Sequence, residues 1–348
     1  MTKSRSNHID VAKGVAIILV VYGHAAAQLQ GYPVYNEYLD ASNRIIFSFV
    51  MPVFFMVSGA FQRIRLESDK FNEKIYLTKI TKSILLPYYS LSLLFMAINI
   101  VFSNVLNAPS IKEMLCALSI QQSNSDWLPS GVLWFLFTLY IFHVVTFIYI
   151  KKLNANILYL VVVALILRSD INIFHQYHYL AFDKVSHFLL FYLFGFIFDK
   201  NITEAPPKNP VILSALLVAY LVLTYIQHLS KSNELANILF IAMSMIGAAG
   251  IALSLLTIGI SHIISSKYNA SIVVKVLAYY GMFSILVYVF HMPTIAIFKK
   301  IALLLKVNSD YLYQLLLFIP GIILPFIYGK ILSYNRFIYK TLLGREPV

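Results

Sequence analysis

The stretch HIDVAKGVAIILVVYGHAA, residues 8–26, decides the fold. Between Lys13 and His24 lie only apolar and small residues and one tyrosine. A helix needs ~20 mostly apolar residues to cross the hydrocarbon of a bilayer, and this stretch has that length. Asp10 and Lys13 stand at its entrance and His24 at its exit. Lipid solvates none of the three cheaply, so each is expected to face a partner or a protein-lined cavity. The segment therefore reads as a membrane helix that carries polar groups to a site.

The rest of the chain agrees. It has 348 residues, 59% hydrophobic and 12% charged, with a mean hydropathy of +0.76. Soluble domains have roughly 45–50% apolar and about 25% charged residues, and this excess of apolar residues has no place on a water-facing surface. The net charge of +12 does not indicate nucleic acid, because the lysines and arginines fall in short loops between apolar runs. That distribution is the positive-inside pattern. The single cysteine, Cys116, excludes an internal disulfide and reads as a small apolar filler.

Ten apolar runs are candidate spans: 11–28, 44–62, 83–103, 131–150, 155–168, 184–198, 211–229, 235–260, 277–298 and 312–332. The fold expected is all-α: a polytopic membrane bundle of about ten helices, one integral-membrane domain over 1–348. With the N-terminus inside, 19 Lys and Arg fall on the cytoplasmic side and 8 outside. Both termini are therefore expected to be cytoplasmic. Ala25, Ala26 and Ala27 after a short apolar core also fit a cleavable leader. Asp10 and Lys13 against that core, and the even helix count, favour a retained first helix.

Helical residues turn about 100° each, so Lys13 and His24, eleven apart, share a face, with Asp10 about 60° away. At 1.5 Å per residue the two lie ~16 Å apart along the axis, which puts His24 past mid-bilayer when Lys13 is at the boundary. A polar tie between helices is the structural alternative for His24. The ninth run repeats the theme: Ser284, Tyr288 and His291 fall at i, i+4 and i+7 on one face. His291 then reaches a similar depth, and two imidazoles at one level point to a shared polar chamber. The structural alternative for His291 is an interfacial residue bonded to a loop. Ser58 and Gly59 suit close helix approach. Lys79 and Lys82, three apart at the cytoplasmic entrance of the third helix, suit either the phosphates of a nucleotide-like donor or anchorage to lipid headgroups.

The most polar external stretch, 168–187, holds His175, His178, His187, Asp170 and Asp183. Its spacing is too loose for a metal centre, so it reads as a solvated or acceptor-binding loop, and no metal is expected. Trp134 in LWFLFTLY reads as interface belt or packing. The chain has no phosphate-cradling glycine loop, serine-hydrolase elbow or paired catalytic carboxylates.

Five stretches in order, IDVAKGVAIILVVYGH, FSFVMPVFFMVSGAF, KITKSILLPYY, LWFLFTLY and GMFSILVYVFHMP, resemble the acyltransferase-3 family of bacterial membrane acyltransferases. Within it the resemblance is to the fucose 4-O-acetylase branch. It runs from residue 8 to 293. The family's motif of a basic residue, ten others and a histidine matches Lys13 to His24. Its pair of arginines three apart falls on Lys79 and Lys82, and lysine there forgoes bidentate phosphate binding.

The resemblance implies a multi-pass protein of the bacterial cytoplasmic (inner) membrane. It implies acyl transfer from cytoplasmic acyl-CoA, acetyl-CoA above all, to a sugar hydroxyl of a cell-surface or exported polysaccharide or a lipid-linked glycan. Acetyl-CoA is then a substrate, and no bound cofactor is expected. Partners are the glycan, acyl-CoA and membrane lipid, with no nucleic acid; the oligomeric state is open. Donor phosphates are assigned to Lys79, Lys82 and Arg63, with Arg65 beside them. His24 serves as base or as acyl-carrying nucleophile. Asp10 and Lys13 are assigned to the catalytic set with His24, their ion pair fixing the first helix at the donor mouth, and Ser284, Tyr288 and His291 orient the acceptor or the oxyanion. Two rivals fit the composition. A glycan or lipid-linked-sugar transporter would need inverted repeats with broken helices, and no such internal similarity is visible. A membrane glycan polymerase would need a longer polar external loop than 104–130.

Overall fold

The structure, a computed structural model, describes residues 7–29, 37–101, 130–168, 181–229, 247–307 and 309–347. All regular elements among the described residues are helical. Two compact units divide the chain: Met1–Ile64 with Leu190–Pro325, and Arg65–Leu189 with Phe326–Val348.

In the first unit α1 (Asn7–Ala27) is buried along most of its length. It is followed by α2 (Glu37–Leu66), which contains Pro52. A helix order numbered along the whole chain continues with α3 (Glu73–Ile80), a wide turn (Thr81–Leu85) and α4 (Leu86–Val101). Next come α5 (Ser130–Phe147), α6 (Ile157–Arg168), α7 (Phe182–Ile197), α8 (Asp199–Thr203) and α9 (Pro210–Leu229). The chain ends with α10 (Ala248–Lys267), α11 (Ile272–Met282), α12 (Ser284–Leu304), α13 (Asp310–Ser333) and α14 (Arg336–Leu343).

α1 packs against α10, α11 and α12. It meets α11 backbone to backbone: a Cβ on Gly281 would overlap the Asp10 carbonyl, and one on Gly14 would overlap the Leu277 carbonyl. The same device joins α2 and α7, where Gly59 abuts the Tyr192 carbonyl and Gly195 the Met56 carbonyl. In lipid the tails are as apolar as the side chains, so close backbone approach and the dispersion it brings hold helices together. Gly59 is thereby a packing residue. Tyr192 also donates a hydrogen bond to Gln62 across α2 and α7.

In the second unit α5 packs against α3, the wide turn and α4. The turn closes through the Leu86 N–H bonding to the Thr81 carbonyl, five residues back. α14 lies on α4, and Gly344, at φ +67°, presses against Ser83.

Seven helices among the described residues are long and apolar enough to cross a membrane, and Ile157–Arg168, Pro210–Ile226 and Ile272–Met282 are shorter apolar helices. On α13 a row four residues apart (Leu315, Ile319, Ile323, Ile327, Ile331) is 45–59% exposed. A patch of that size is a liability in water and ordinary against lipid. The chain is a multi-pass membrane protein.

Several expected spans differ in their bounds, and three of the differences have a local cause. The ninth, 277–298, is two helices that part at Phe283, whose φ −103° and ψ 18° leave the helical region. Hydropathy runs unbroken there, so only Gly281, weak in helix propensity, hinted at a break. The eighth reaches Lys267 rather than residue 260 because Ser265 and Ser266 return their hydroxyls to the His262 carbonyl. These local bonds let a polar tail continue the helix. The third helical stretch begins as early as Glu73, capped by Asn72, whose Oδ1 accepts from the Ile75 N–H at 3.0 Å. Cys116, Asp170, His175, His178 and most of the 104–130 loop lie outside the described residues.

Candidate active site

α1 delivers His24 near its C-terminal end, and α12 delivers His291 from its middle. Their ring centroids lie 5.2 Å apart. On its other side His24 meets the Phe47 ring of α2 at 5.1 Å. His24 is half-buried and makes no hydrogen bond among the described residues, whereas His291 is fully buried.

The helix backbone fixes the state of His291. Its Nδ1 lies 2.8 Å from the Tyr288 carbonyl and 3.1 Å from the Val287 carbonyl. Carbonyl oxygens only accept, so Nδ1 carries the proton and donates. In the neutral ring Nε2 is then a lone pair, and this buried atom has no hydrogen-bond partner among the described residues. A buried acceptor without a donor costs about 1–3 kcal/mol, so such an atom signals a missing partner or a functional demand. Tyr288, buried on the same helix, has its ring 6.2 Å from that of His291.

The other expected site residues sit elsewhere. Ser284, also buried, starts α12 about 10 Å along the axis from His291. Lys13 donates to Asp10 Oδ1 at 3.4 Å, and because α1 is continuous this pair lies ~16 Å along the helix from His24. At that far end of α1 the Asp10 carbonyl meets Gly281. Arg63 lies in the first unit, its guanidinium 5.2 Å from the centre of the Phe196 ring. Lys79 and Lys82 lie in the second unit, both exposed, the latter inside the wide turn. Such π-type turns are rare and recur at functional sites.

A family model described as an acyltransferase domain matches residues 7–330, nearly the whole chain. The chain belongs to the acyltransferase-3 family. No curated protein and no solved structure matches it. For an acyltransferase-3 chain the imidazole pair is the strongest candidate site among the described residues, which hold no group of three metal-ligating side chains. Of the expected external loop, His187 is exposed, with its carbonyl accepting from Arg168, and Asp183 pairs with its neighbour Lys184 at 3.0 Å. Trp134 stacks on Phe188 at 5.2 Å and is a packing residue.

Three polar features have no counterpart in the sequence reading. His143 of α5 shares a hydrogen bond of 3.0 Å with the Tyr76 hydroxyl of α3, both buried. His8 lies 3.1 Å from the Ile202 carbonyl and 5.0 Å, edge to face, from His262. Asn43 of α2 is buried near His24. An imidazole within an apolar run, as at His143, was a signal that could have been followed; Tyr76 and Asn43 had none.

Proposed function

We propose that the protein is an O-acetyltransferase of the bacterial inner membrane, moving acetyl from acetyl-CoA to a sugar hydroxyl of a cell-surface or exported polysaccharide. The observation that supports this most is the contact between His24, half-buried and without a hydrogen bond, and the fully buried His291. The acceptor hydroxyl gives its proton to a His24 ring nitrogen as its oxygen attacks the thioester carbonyl. The tetrahedral intermediate collapses, the C–S bond breaks, and the proton passes to the departing thiolate. Ester and CoA thiol are the products, and His24 returns to its neutral form.

His291 narrows its own role. With Nδ1–H tied to the helix backbone, its Nε2 accepts rather than donates, so it holds a hydrogen from His24 or from the acceptor and does not stabilise an oxyanion. That leaves the Tyr288 O–H as the donor from this face. Lys79 and Lys82 are assigned to the phosphates of the donor. Lysine meets phosphate as a point charge, which suits two exposed ammonium groups.

The test is His24→Gln, which keeps hydrogen-bonding polarity and abolishes titration. Transfer of radiolabelled acetyl from acetyl-CoA to polysaccharide should fall ~10²–10⁴-fold, the usual cost of losing a general base, at unchanged protein level in the membrane. A variant that acetylates at the parental rate makes His24 a helix tie and removes the mechanism.

A further inference from the structure

Asn43 is 7% exposed, and its Oδ1 has no hydrogen-bond partner among the described residues. Its place is defined by Gly23, the residue before His24. A Cβ built on Gly23 would lie 2.9 Å from two Phe47 ring carbons and 3.5 Å from Asn43 Oδ1. Glycine at 23 thus lets one face of α2 settle on α1 beside His24, with Phe47 against the imidazole and Asn43 one turn before it.

The direction of the helices sets which side of the imidazoles Asn43 occupies. α2 runs back along α1: Phe47 meets Gly23 near the end of α1, while Met56 meets Gly195, a few residues before Ile202, which lies against His8 at the start of α1. α10 marks the two ends independently: Gly250 lies near Ser48, while His262 meets His8 at the start of α1. Four residues before Phe47, Asn43 lies about 6 Å further from the Asp10–Lys13 end. On that same side Lys299 of α12 donates to Gln28 Oε1 at 2.9 Å, clasping α1 to α12 beyond the imidazole pair. The two ends flanking the imidazoles differ in chemistry: one holds the Asp10–Lys13 ion pair, the other a buried amide oxygen without a donor among the described residues.

We infer that Asn43 is a specificity-determining residue of the acceptor subsite: its Oδ1 accepts a hydrogen bond from a second hydroxyl of the sugar whose neighbouring hydroxyl is acylated at His24. This rests on the acyl-transfer reading of the imidazole pair. The chemistry selects the ligand class. The acyl thioester itself offers only acceptor atoms and the pantetheine arm behind it two isolated amide N–H groups, whereas a polyol brings several O–H donors at fixed spacing. A buried amide left unpaired against an analogue lacking the hydroxyl is a strong means of discrimination.

The experiment uses the full-length protein in nanodiscs with radiolabelled acetyl-CoA. The acceptor probe is de-O-acetylated surface polysaccharide from a strain of the producing organism that lacks this protein. Asn43→Leu, of similar volume without the acceptor oxygen, should raise KM for the polysaccharide about tenfold or more, with KM for acetyl-CoA unchanged. Asn43→Ser keeps a shorter oxygen and should fall between the two, and it carries the test if the leucine variant does not accumulate. Unchanged KM for the polysaccharide in either well-folded variant overturns the assignment, as does a rise in both KM values together, which marks a structural role. His24→Gln is run beside them: if it retains full transfer, the imidazole reading fails, whatever Asn43 does.

Discussion

His24 and His291 come from opposite ends of the chain and bring their rings to 5.2 Å, yet only one of them has its hydrogen bonding fixed. His291 is held by its own helix through Nδ1, while His24 makes no hydrogen bond among the described residues. In the proposed reaction the mobile proton then falls to His24, while His291 offers a fixed lone pair.

His291→Phe separates catalysis from packing. Phenylalanine fills a similar volume and removes the unpartnered Nε2 along with the Nδ1 bonds to the helix carbonyls, so the relief of one buried unsatisfied group offsets the loss of the other contact. The Val287 and Tyr288 carbonyls keep their positions within α12. The variant should melt in detergent no lower than the parent while acetyl transfer falls at least tenfold, the equivalent of about 1.4 kcal/mol in barrier. An active variant with a lowered melting temperature would make His291 a structural tie instead.

The glycines of the first unit predict a graded response. Gly281→Ala places a methyl into the Asp10 backbone carbonyl, and backbone in a continuous helix has nowhere to go. Gly321→Ala places one 2.9 Å from Val21 Cγ1, a single methyl group rather than backbone. The first should cost about 1–3 kcal/mol or more, as overpacking does, and the second clearly less. Thermal melts of both, at matched detergent, give the ordering. Equal melting temperatures would show that α1 and α11 slide apart freely.

Much of the fold was legible because lipid imposes one requirement on every span, a long apolar run, and a sequence displays it directly. The break at Phe283 was not legible, since a non-helical residue in lipid-depth sequence leaves hydropathy unchanged. His24, His291 and Tyr288 could be found because ionisable and phenolic groups stand out against an apolar background. Asn43 could not: it sits near the polar start of α2, where an asparagine is commonplace, and its significance comes from Gly23 on another helix. The pairing of Tyr76 with His143 was hidden for the same reason. Helical periodicity places a residue on a face but does not say which helix that face meets.

The last prediction concerns Lys79 and Lys82. Both residues are exposed on the second unit, Lys79 in the last turn of α3 and Lys82 inside the wide turn from Thr81 to Leu85. If they hold the phosphates of acetyl-CoA in ground and transition state alike, their removal raises KM for the donor with kcat little changed. Exposed ion contacts are screened, so each alanine should raise KM by roughly 3–10-fold, more at low salt than at high. Lys79→Arg with Lys82→Arg tests the same idea in the other direction. A guanidinium grips phosphate bidentately, and the double arginine variant should bind acetyl-CoA more tightly than the parent. Steady-state kinetics at two ionic strengths, with polysaccharide saturating, measure all three variants. A donor KM that stays at the parental value in the alanine variants, with normal protein in the membrane, returns both lysines to the role of headgroup anchors.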